Sequence, residues 1–461
     1  MRQIGDHAVV LGAGVGGLLA ARVLADAYER VTLVERDTLP GGAEHRRGVP
    51  QARHVHALLP RGSQILEELF PGILQELVAG GVPLLDNFTS LHFSVAGHVL
   101  CPKPVADEPV YQPSRPYLEA ALRARVRAMP GLVFADGCDV VGLAAPDARD
   151  RVTGARVMRR ADSSAEEILH ADLVVDAMGR GARTPAWLER LGYDRVLEER
   201  LPVGVKYSSR PVRLQPGAIP EKQVIIGARP GRPSGMALIA NENDSWIFTV
   251  SGYGERLPSD AAGMVEHIAG FAPHHVVEAL RDAEPLGEVV THRFPAALRR
   301  RYEKIRRFPA GLLVFGDAIC SFNPIYGQGM SVAALQALAL RDCLRRGERD
   351  LARRFFRAAA SSIAVAWRLA TSADVAVVDV KKAQPVSTRL VNAYVGRFQA
   401  AAERDTDLAV RFMRVSALLE PPSLLFRPTA VARVLTGNLH GRRRALVARG
   451  TGAHEAVEVT R

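Results

Sequence analysis

The sequence predicts an α/β protein in which a parallel-sheet domain, built from separated stretches of chain, accepts an inserted, mostly β domain and is followed by a helical C-terminal region. Three observations predict it. A glycine-rich turn stands between an apolar run and an apolar-periodic stretch near the N-terminus, a second strand, polar loop and helix pattern recurs about three hundred residues later, and short β-like runs fill much of the chain between them. The expected boundaries are 1–85, 113–185 and 296–345 for the parallel-sheet domain, 86–112 and 186–295 for the β-rich domain, and 346–461 for the helices.

With 461 residues, 48% of them hydrophobic, the chain is long enough to bury large cores and implies about two or three domains. No cationic stretch leading into an apolar core opens it, and no apolar run reaches the roughly 18 residues that span a bilayer. The expectation is a cytoplasmic protein without stable membrane insertion. Cys101, Cys138, Cys320 and Cys343 lack C-x-x-C spacing, which argues against zinc and against a disulfide framework. The net charge of +11 is carried by arginine, the only lysines being Lys103, Lys206, Lys222, Lys304, Lys381 and Lys382. These arginines are scattered and no basic stretch is interleaved with aromatics, so nucleic acid is not an expected partner. The run Arg442-Arg443-Arg444 reads as a solvated tail.

The first element is an apolar run at 8–11, followed by Gly12-Ala13-Gly14-Val15-Gly16-Gly17 and an apolar-periodic helix at 18–25. A second apolar run, 31–34, ends in Glu35 and Arg36 and closes a βαβ unit of the dinucleotide-binding (Rossmann) type. Gly12 permits the tight turn, Gly14 lets backbone approach a pyrophosphate, and Gly17 allows close packing of helix on strand. The helix N-terminus offers amides and partial positive charge. Gly12, Gly14, Gly16, Gly17, Glu35 and Arg36 are therefore candidate cofactor-binding residues, with Glu35 placed to accept from ribose hydroxyls.

A cationic stretch, Arg46-Arg47-Gly48-Val49-Pro50-Gln51-Ala52-Arg53-His54-Val55-His56, follows, and Arg53 is a candidate phosphate partner. No acid or cysteine lies at ligand spacing from its histidines, so they read as surface or packing residues and no metal is assigned. A helix starts at Ser114-Arg115-Pro116 and runs to about 129, with Arg115 at its beginning. Strand-like runs at 132–134, 140–143, 152–157 and 172–175 lead into Asp176-Ala177-Met178-Gly179-Arg180, a plausible cofactor-facing turn. Between 203 and 251, runs at 203–207, 224–228, 236–240 and 246–250 suggest a separate sheet forming one wall of a pocket at the domain boundary.

The second strong constellation is the apolar run 312–315, Gly316-Asp317-Ala318, Asn323-Pro324-Ile325-Tyr326-Gly327-Gln328-Gly329-Met330 and a helix at 331–340. Asp317 at the strand end suits a ribityl hydroxyl. Gly327 and Gly329 let amides of the helix N-terminus face the negative charge that a reduced flavin carries at N1 and its C2 carbonyl. From about 341 to 378 the pattern is helical, with apolar residues at Leu344, Leu351, Phe355, Phe356, Ile363 and Trp367 that read as core.

Taken together, the Gly12 to Gly17 turn with Glu35, the Asp176 turn, and Gly316-Asp317 with Pro324 to Gly329 resemble the three fingerprints of group A flavoprotein monooxygenases, the p-hydroxybenzoate hydroxylase-like enzymes. Gly48-Val49-Pro50-Gln51, Arg53-His54 and the Phe322 to Ser331 segment look most like bacterial natural-product epoxidases and monooxygenases, and the similarity extends to the C-terminal helices with Trp367 and Asp374. The resemblance implies FAD held by Arg53, Arg115 and Asp317, with Pro324, Gly327, Gly329 and Met330 near the isoalloxazine. It implies reduction by NADPH and transfer of oxygen from a flavin C4a-hydroperoxide, chemistry that needs no side-chain nucleophile, so no catalytic acid or base is named. The family carries Gly, Ser or Thr near the place of Met178, a departure at the turn linked to FAD and NADPH.

The expected partner is an apolar small molecule, free or bound to a carrier protein, and the expected assembly a monomer or homodimer. The alternative reading is an FAD-containing pericyclase ([4+2] cyclase) of polyketide biosynthesis with FAD as a scaffold. A flavin halogenase is disfavoured because Trp187, Trp246 and Trp367 are isolated and no W-x-W-x-I-P segment exists.

Overall fold

The computed structural model describes residues 3–86, 88–101, 108–161, 165–377 and 386–437; the Arg442 to Arg444 run lies outside them. The N-terminal apolar run forms β1 (Gly5–Leu11), whose last four residues are wholly buried. Such a strand, apolar on both faces, belongs in the middle of a covered parallel sheet. The glycine turn leads into α1 (Val15–Leu24) and the chain returns as β2 (Tyr28–Val34). Next in this domain come α2 (Arg115–Arg127), capped by the Ser114 hydroxyl accepting from the Tyr117 amide, then β3 (Leu132–Ala135) and β4 (Leu173–Asp176).

The chain then leaves for a second sheet through β5 (Glu198–Arg213), β6 (Trp246–Tyr253) and β7 (Val290–Arg300). It comes back as β8 (Leu312–Val314), followed by α3 (Gly329–Leu344) and α4 (Leu351–Val377). The first sheet has the order β8-β4-β1-β2-β3 with every pair parallel. A small antiparallel sheet of Cys138–Ala144, Gly154–Arg159 and Glu167–His170 stands beside it.

In the second sheet β5 lies between β6 and β7, and Ser234–Ala240, Gln223–Ile226 and Leu91–Val95 extend it beyond β6. Several elements differ from the sequence expectation. The run expected at 203–207 is the middle of a 16-residue strand, in which a register shift between Pro202 and Val205 absorbs Gly204 at φ 61. Strand β7 was not foreseen. Helices Ala261–Ala269 and His274–Arg281 cover this sheet, placing Met264, Ile268 and Val276 in one buried cluster with Leu238 and Val250.

The helix expected to run unbroken from 341 is also corrected: α3 ends at Leu344 and the chain turns through Gly347 and Asp350, at φ 79 and 53, before α4. Arg354 closes that break by donating to the Cys343 carbonyl at 2.8 Å and to the Gly347 carbonyl. No helix among the described residues is long and apolar enough to cross a membrane.

The seating of α1 on β1 is a tight constraint, since a Cβ on Gly17 would lie 1.8 Å from the Gly12 carbonyl oxygen. Gly17→Ala is expected to cost about 1–3 kcal/mol or to prevent folding, the range for overpacking a filled core. A thermal melt checks it, and an unchanged midpoint would refute the tight seating.

Candidate flavin site

Glycines in the first turn have separate causes. Gly12 stands at φ 98, where a Cβ would also meet the Ala177 carbonyl oxygen at 2.8 Å, and a Cβ on Gly16 would touch the Phe315 ring at 3.7 Å. A Cβ on Gly14, the residue preceding α1, would meet no protein atom within 4 Å. Internal packing accounts for Gly12 and Gly17, whereas Gly14 suits the close approach of an outside group to unpaired helix amides.

Glu35 is buried at the end of β2. Its carboxylate accepts from the Ala13 amide at 2.9 Å and the Asp37 amide at 3.1 Å and lies 3.3 Å from Arg46. That uses three of its roughly four acceptor positions, leaving one for a ribose hydroxyl. Arg46, which the sequence reading did not single out from Arg47, is 3% exposed and also bonds Glu119 at 2.8 Å and reaches Asp37 at 3.5 Å. Arg36, by contrast, has an exposed side chain 3.8 Å from Asp37, and Arg53 is exposed at the end of a short 3₁₀ turn. Arg115 begins α2, as expected, and pairs with Glu119 at 3.4 Å.

The second turn abuts the first: a Cβ on Gly316, at φ 67, would lie 3.9 Å from Gly16 Cα. Gln336 of α3 pins it by accepting from the Gly316 amide at 2.8 Å. Asp317 is open to solvent yet walled by protein, and these surroundings push its carboxyl up while Arg115 and Arg180 pull it back. A Cβ on Gly329 would come 3.7 Å from Asp317 Oδ1, so α3 begins directly beside this carboxylate. Pro324 is exposed, Gly327 stands at φ 64, and Met330 packs half-buried against the core. Gln328 Oε1 and Ser331 Oγ at the same helix start are buried with no hydrogen-bond partner.

The Asp176 turn does not present its carboxylate to the cleft. Asp176 is fully buried, accepting from the Met178 amide at 3.0 Å and from the Thr184 hydroxyl, and so holds the turn's shape. Arg180 donates to the Ala296 carbonyl at 2.6 Å and lies over the Phe294 ring, tying the turn to β7. Met178 sits half-buried beside Gly12.

Of the two histidines, His54 is a packing residue. Its ring shares a 2.8 Å hydrogen bond with Ser209 and lies 5.9 Å from Tyr207 and 5.5 Å from His292. Burial, His292 and Arg53 lower its pKa to about 4. His56 donates to the His54 carbonyl at 3.0 Å, and burial with Arg115 nearby lowers it to about 3. Both rings are therefore neutral at pH 7.

Residues on both sides of this cleft fit FAD: a backbone cradle at Gly14, an acid at Glu35, a carboxylate at Asp317 and an orphaned polar set at the start of α3. Gly14→Val is expected to fold with an unchanged melting midpoint and to lose bound FAD, read as the absorbance of the purified protein; retained flavin would refute the cradle. The histidines predict a pH effect. A neutral buried imidazole lets the unfolded chain bind more protons, so its stabilisation is complete above pH 6.5 and falls as pH drops from 6.5 toward about 4 for His54. The loss approaches about 1.4 kcal/mol per pH unit for each ring, and His54→Gln is expected to remove its share of the slope while that of His56 remains.

A family model described as an NAD(P)-binding Rossmann-like domain matches residues 10–69. The chain is 37% identical to "Protein Rv3254" of Mycobacterium tuberculosis over 94% of either chain. It is 26% identical to kynurenine 3-monooxygenase of Salinispora tropica over 75% of this chain and 74% of that one. Among solved structures, p-nitrophenol 4-monooxygenase PnpA from Pseudomonas putida DLL-E4 superposes with a TM-score of 0.66 at 14% identity, covering 92% of this chain and all of that one. The flavin-dependent brominase Bmp2 gives 0.65 at 14% identity, covering 95% of this chain and all of its own, so the fold is shared by oxygenases and halogenases. Matched by a relative over nearly its whole length, the chain belongs to the family of Protein Rv3254, and its fold is that of the flavoprotein oxygenases and halogenases it superposes on.

Proposed function

We propose that the protein uses FAD, NADPH and O₂ to epoxidise or hydroxylate an apolar natural-product intermediate. One observation carries the reading: the Gly12 to Gly17 turn and the Gly316-Asp317 turn abut, a Cβ on Gly316 lying 3.9 Å from Gly16 Cα, although about three hundred residues separate them in the chain. When bound, the reduced flavin supplies an activated oxygen. This chain's residues hold and shield. Asp317 would hold the cofactor's ribityl chain by accepting from a hydroxyl, and amides at the start of α3 would favour negative charge on the reduced ring.

A buried core cluster of Val203, Val205, Tyr207, Tyr253, Phe294 and Ala297, with half-buried Ile325 and Trp367 packed against it, backs the Pro324 turn. Met178 occupies the turn expected to admit the reductant. Kynurenine 3-monooxygenase, p-nitrophenol 4-monooxygenase and the brominase Bmp2 are all named for redox reactions, which supports redox work by the flavin rather than a scaffold role.

Incubated with a polyene, NADPH and O₂, the enzyme is expected to give a product heavier by about 16 mass units, and a deazaflavin analogue of FAD is expected to bind without supporting turnover. Met178→Ser is expected to leave FAD content intact and to change the rate of flavin reduction by NADPH, followed by stopped-flow absorbance. An isomer of unchanged mass formed under argon with the deazaflavin would overturn the proposal.

A further inference from the structure

We propose that Asp374, in the last turn of α4, is a positioning residue that fixes the turn from Asn323 to Tyr326 and so aims the flavin-facing start of α3. The proposal rests on the reading that the cleft holds FAD. Asp374 is 1% exposed, on the same helix as the buried apolar residues Phe355, Ile363, Ala366 and Ala370. Its Oδ1 accepts three hydrogen bonds: from Asn323 Nδ2 at 2.7 Å, from the Tyr253 hydroxyl at 2.9 Å and from the Tyr326 hydroxyl at 2.9 Å. Two of these donors belong to the turn and the third to β6.

Asn323 is itself fully buried and anchored to both sheet strands. Its Oδ1 accepts from the Tyr207 hydroxyl on β5 at 2.6 Å and from the Ile325 amide at 3.3 Å, and its Nδ2 also reaches the Tyr253 hydroxyl at 3.1 Å. Its carbonyl oxygen therefore carries two bonds and its amino group the other two, so the amide has one orientation and the turn one shape. The left-handed Gly327 and the first residues of α3 follow directly.

Stability alone does not account for an acid here. The partners of Asp374 are uncharged, and a dry interior penalises a carboxylate, a cost that an apolar set replacing the acid together with its three donors would avoid. Burial pushes its carboxyl up, while Asn323, Tyr253 and Tyr326 oppose that shift. Oδ2 is buried with no hydrogen-bond partner, so the group is oriented for the three donors at the expense of its second oxygen. A single acceptor that gathers an α4 side chain, a sheet tyrosine and two turn residues is a device for fixing geometry.

The test titrates FAD-stripped protein with FAD, following flavin fluorescence and the visible absorbance band, alongside thermal melts. Asp374→Ala leaves three donors without an acceptor and is expected to weaken FAD by about tenfold or more and to shift the band. Asp374→Asn keeps an oxygen for the donors and places its amino group where Oδ2 stood, so it is expected to bind within about threefold of wild type. Tyr326→Phe removes one donor and is expected to cost less than Asp374→Ala, with a double variant that is not additive.

Leu408→Ala, in a separate buried cluster of the C-terminal region, is the control: it lowers the melting midpoint and is expected to leave FAD affinity unchanged. If Asp374→Ala does not fold, Tyr326→Phe decides alone, and full FAD affinity with an unshifted band in that variant overturns the proposal. Equal losses of affinity for Asp374→Ala and Leu408→Ala at matched melting midpoints also overturn it. Wild-type protein that takes up no FAD refutes the flavin reading instead.

Discussion

A guanidinium withdrawn from water among three carboxylates governs the first half of the site. Arg46 touches Glu35, Asp37 and Glu119 and lies 3.4 Å from the Ala13 carbonyl oxygen, so one side chain binds the glycine turn, the end of β2 and helix α2. Such a cluster is tolerable only when fully paired, because removing any member leaves a buried charge uncompensated. Arginine suits the role through its fixed fork of five donors, which a lysine ammonium lacks. The placement of Glu35 against the glycine turn thus depends on a partner eleven residues further along the chain.

Local pattern made the two glycine turns legible, because each glycine answers to a backbone demand visible within a few neighbours. Gly12 to Gly17 between an apolar strand and an apolar helix admits few other readings, and the same holds for Gly316 to Gly329. The partners that complete the site are distant in sequence and chemically ordinary. Arg46 and Arg47 look alike on paper, and only the fold brings Glu119, 73 residues away, to the first of them. The turn after Asp176 reads as cofactor-facing because it is rich in Gly and Arg, yet the Asp176 carboxylate itself is consumed inside by Thr184 and the Met178 amide.

Strand β7 escaped notice for a related reason. His292, Arg293, Arg299 and Arg300 give it a polar composition, but ten residues of β5 pair with it, and Arg300 turns inward to donate to the Ala318 carbonyl at 2.9 Å. Several of the arginines, read from the sequence only as scattered, are internal fastenings of this sort. Arg22 bonds the Leu69 carbonyl, Arg123 the Gly42 carbonyl and Arg354 the end of α3. A long side chain with several donors closes carbonyl groups that a loop leaves open, and composition alone does not distinguish that use from solvation.

The order of the parallel sheet also bears on how the chain comes into being. Strand β1 is central, flanked by β2 on one side and β4 on the other, and β4 in turn waits for β8. As the polypeptide leaves the ribosome, β2 is available at once, but the other edge of β1 has no partner until residue 176 has emerged, and the sheet is not finished until residue 314. For most of synthesis an apolar strand therefore presents an open edge, the surface on which neighbouring nascent chains pair and aggregate. Whatever shelters that edge, a chaperone or a slow and steady rate of translation, is accordingly expected to favour the yield of folded protein, well before any cofactor arrives.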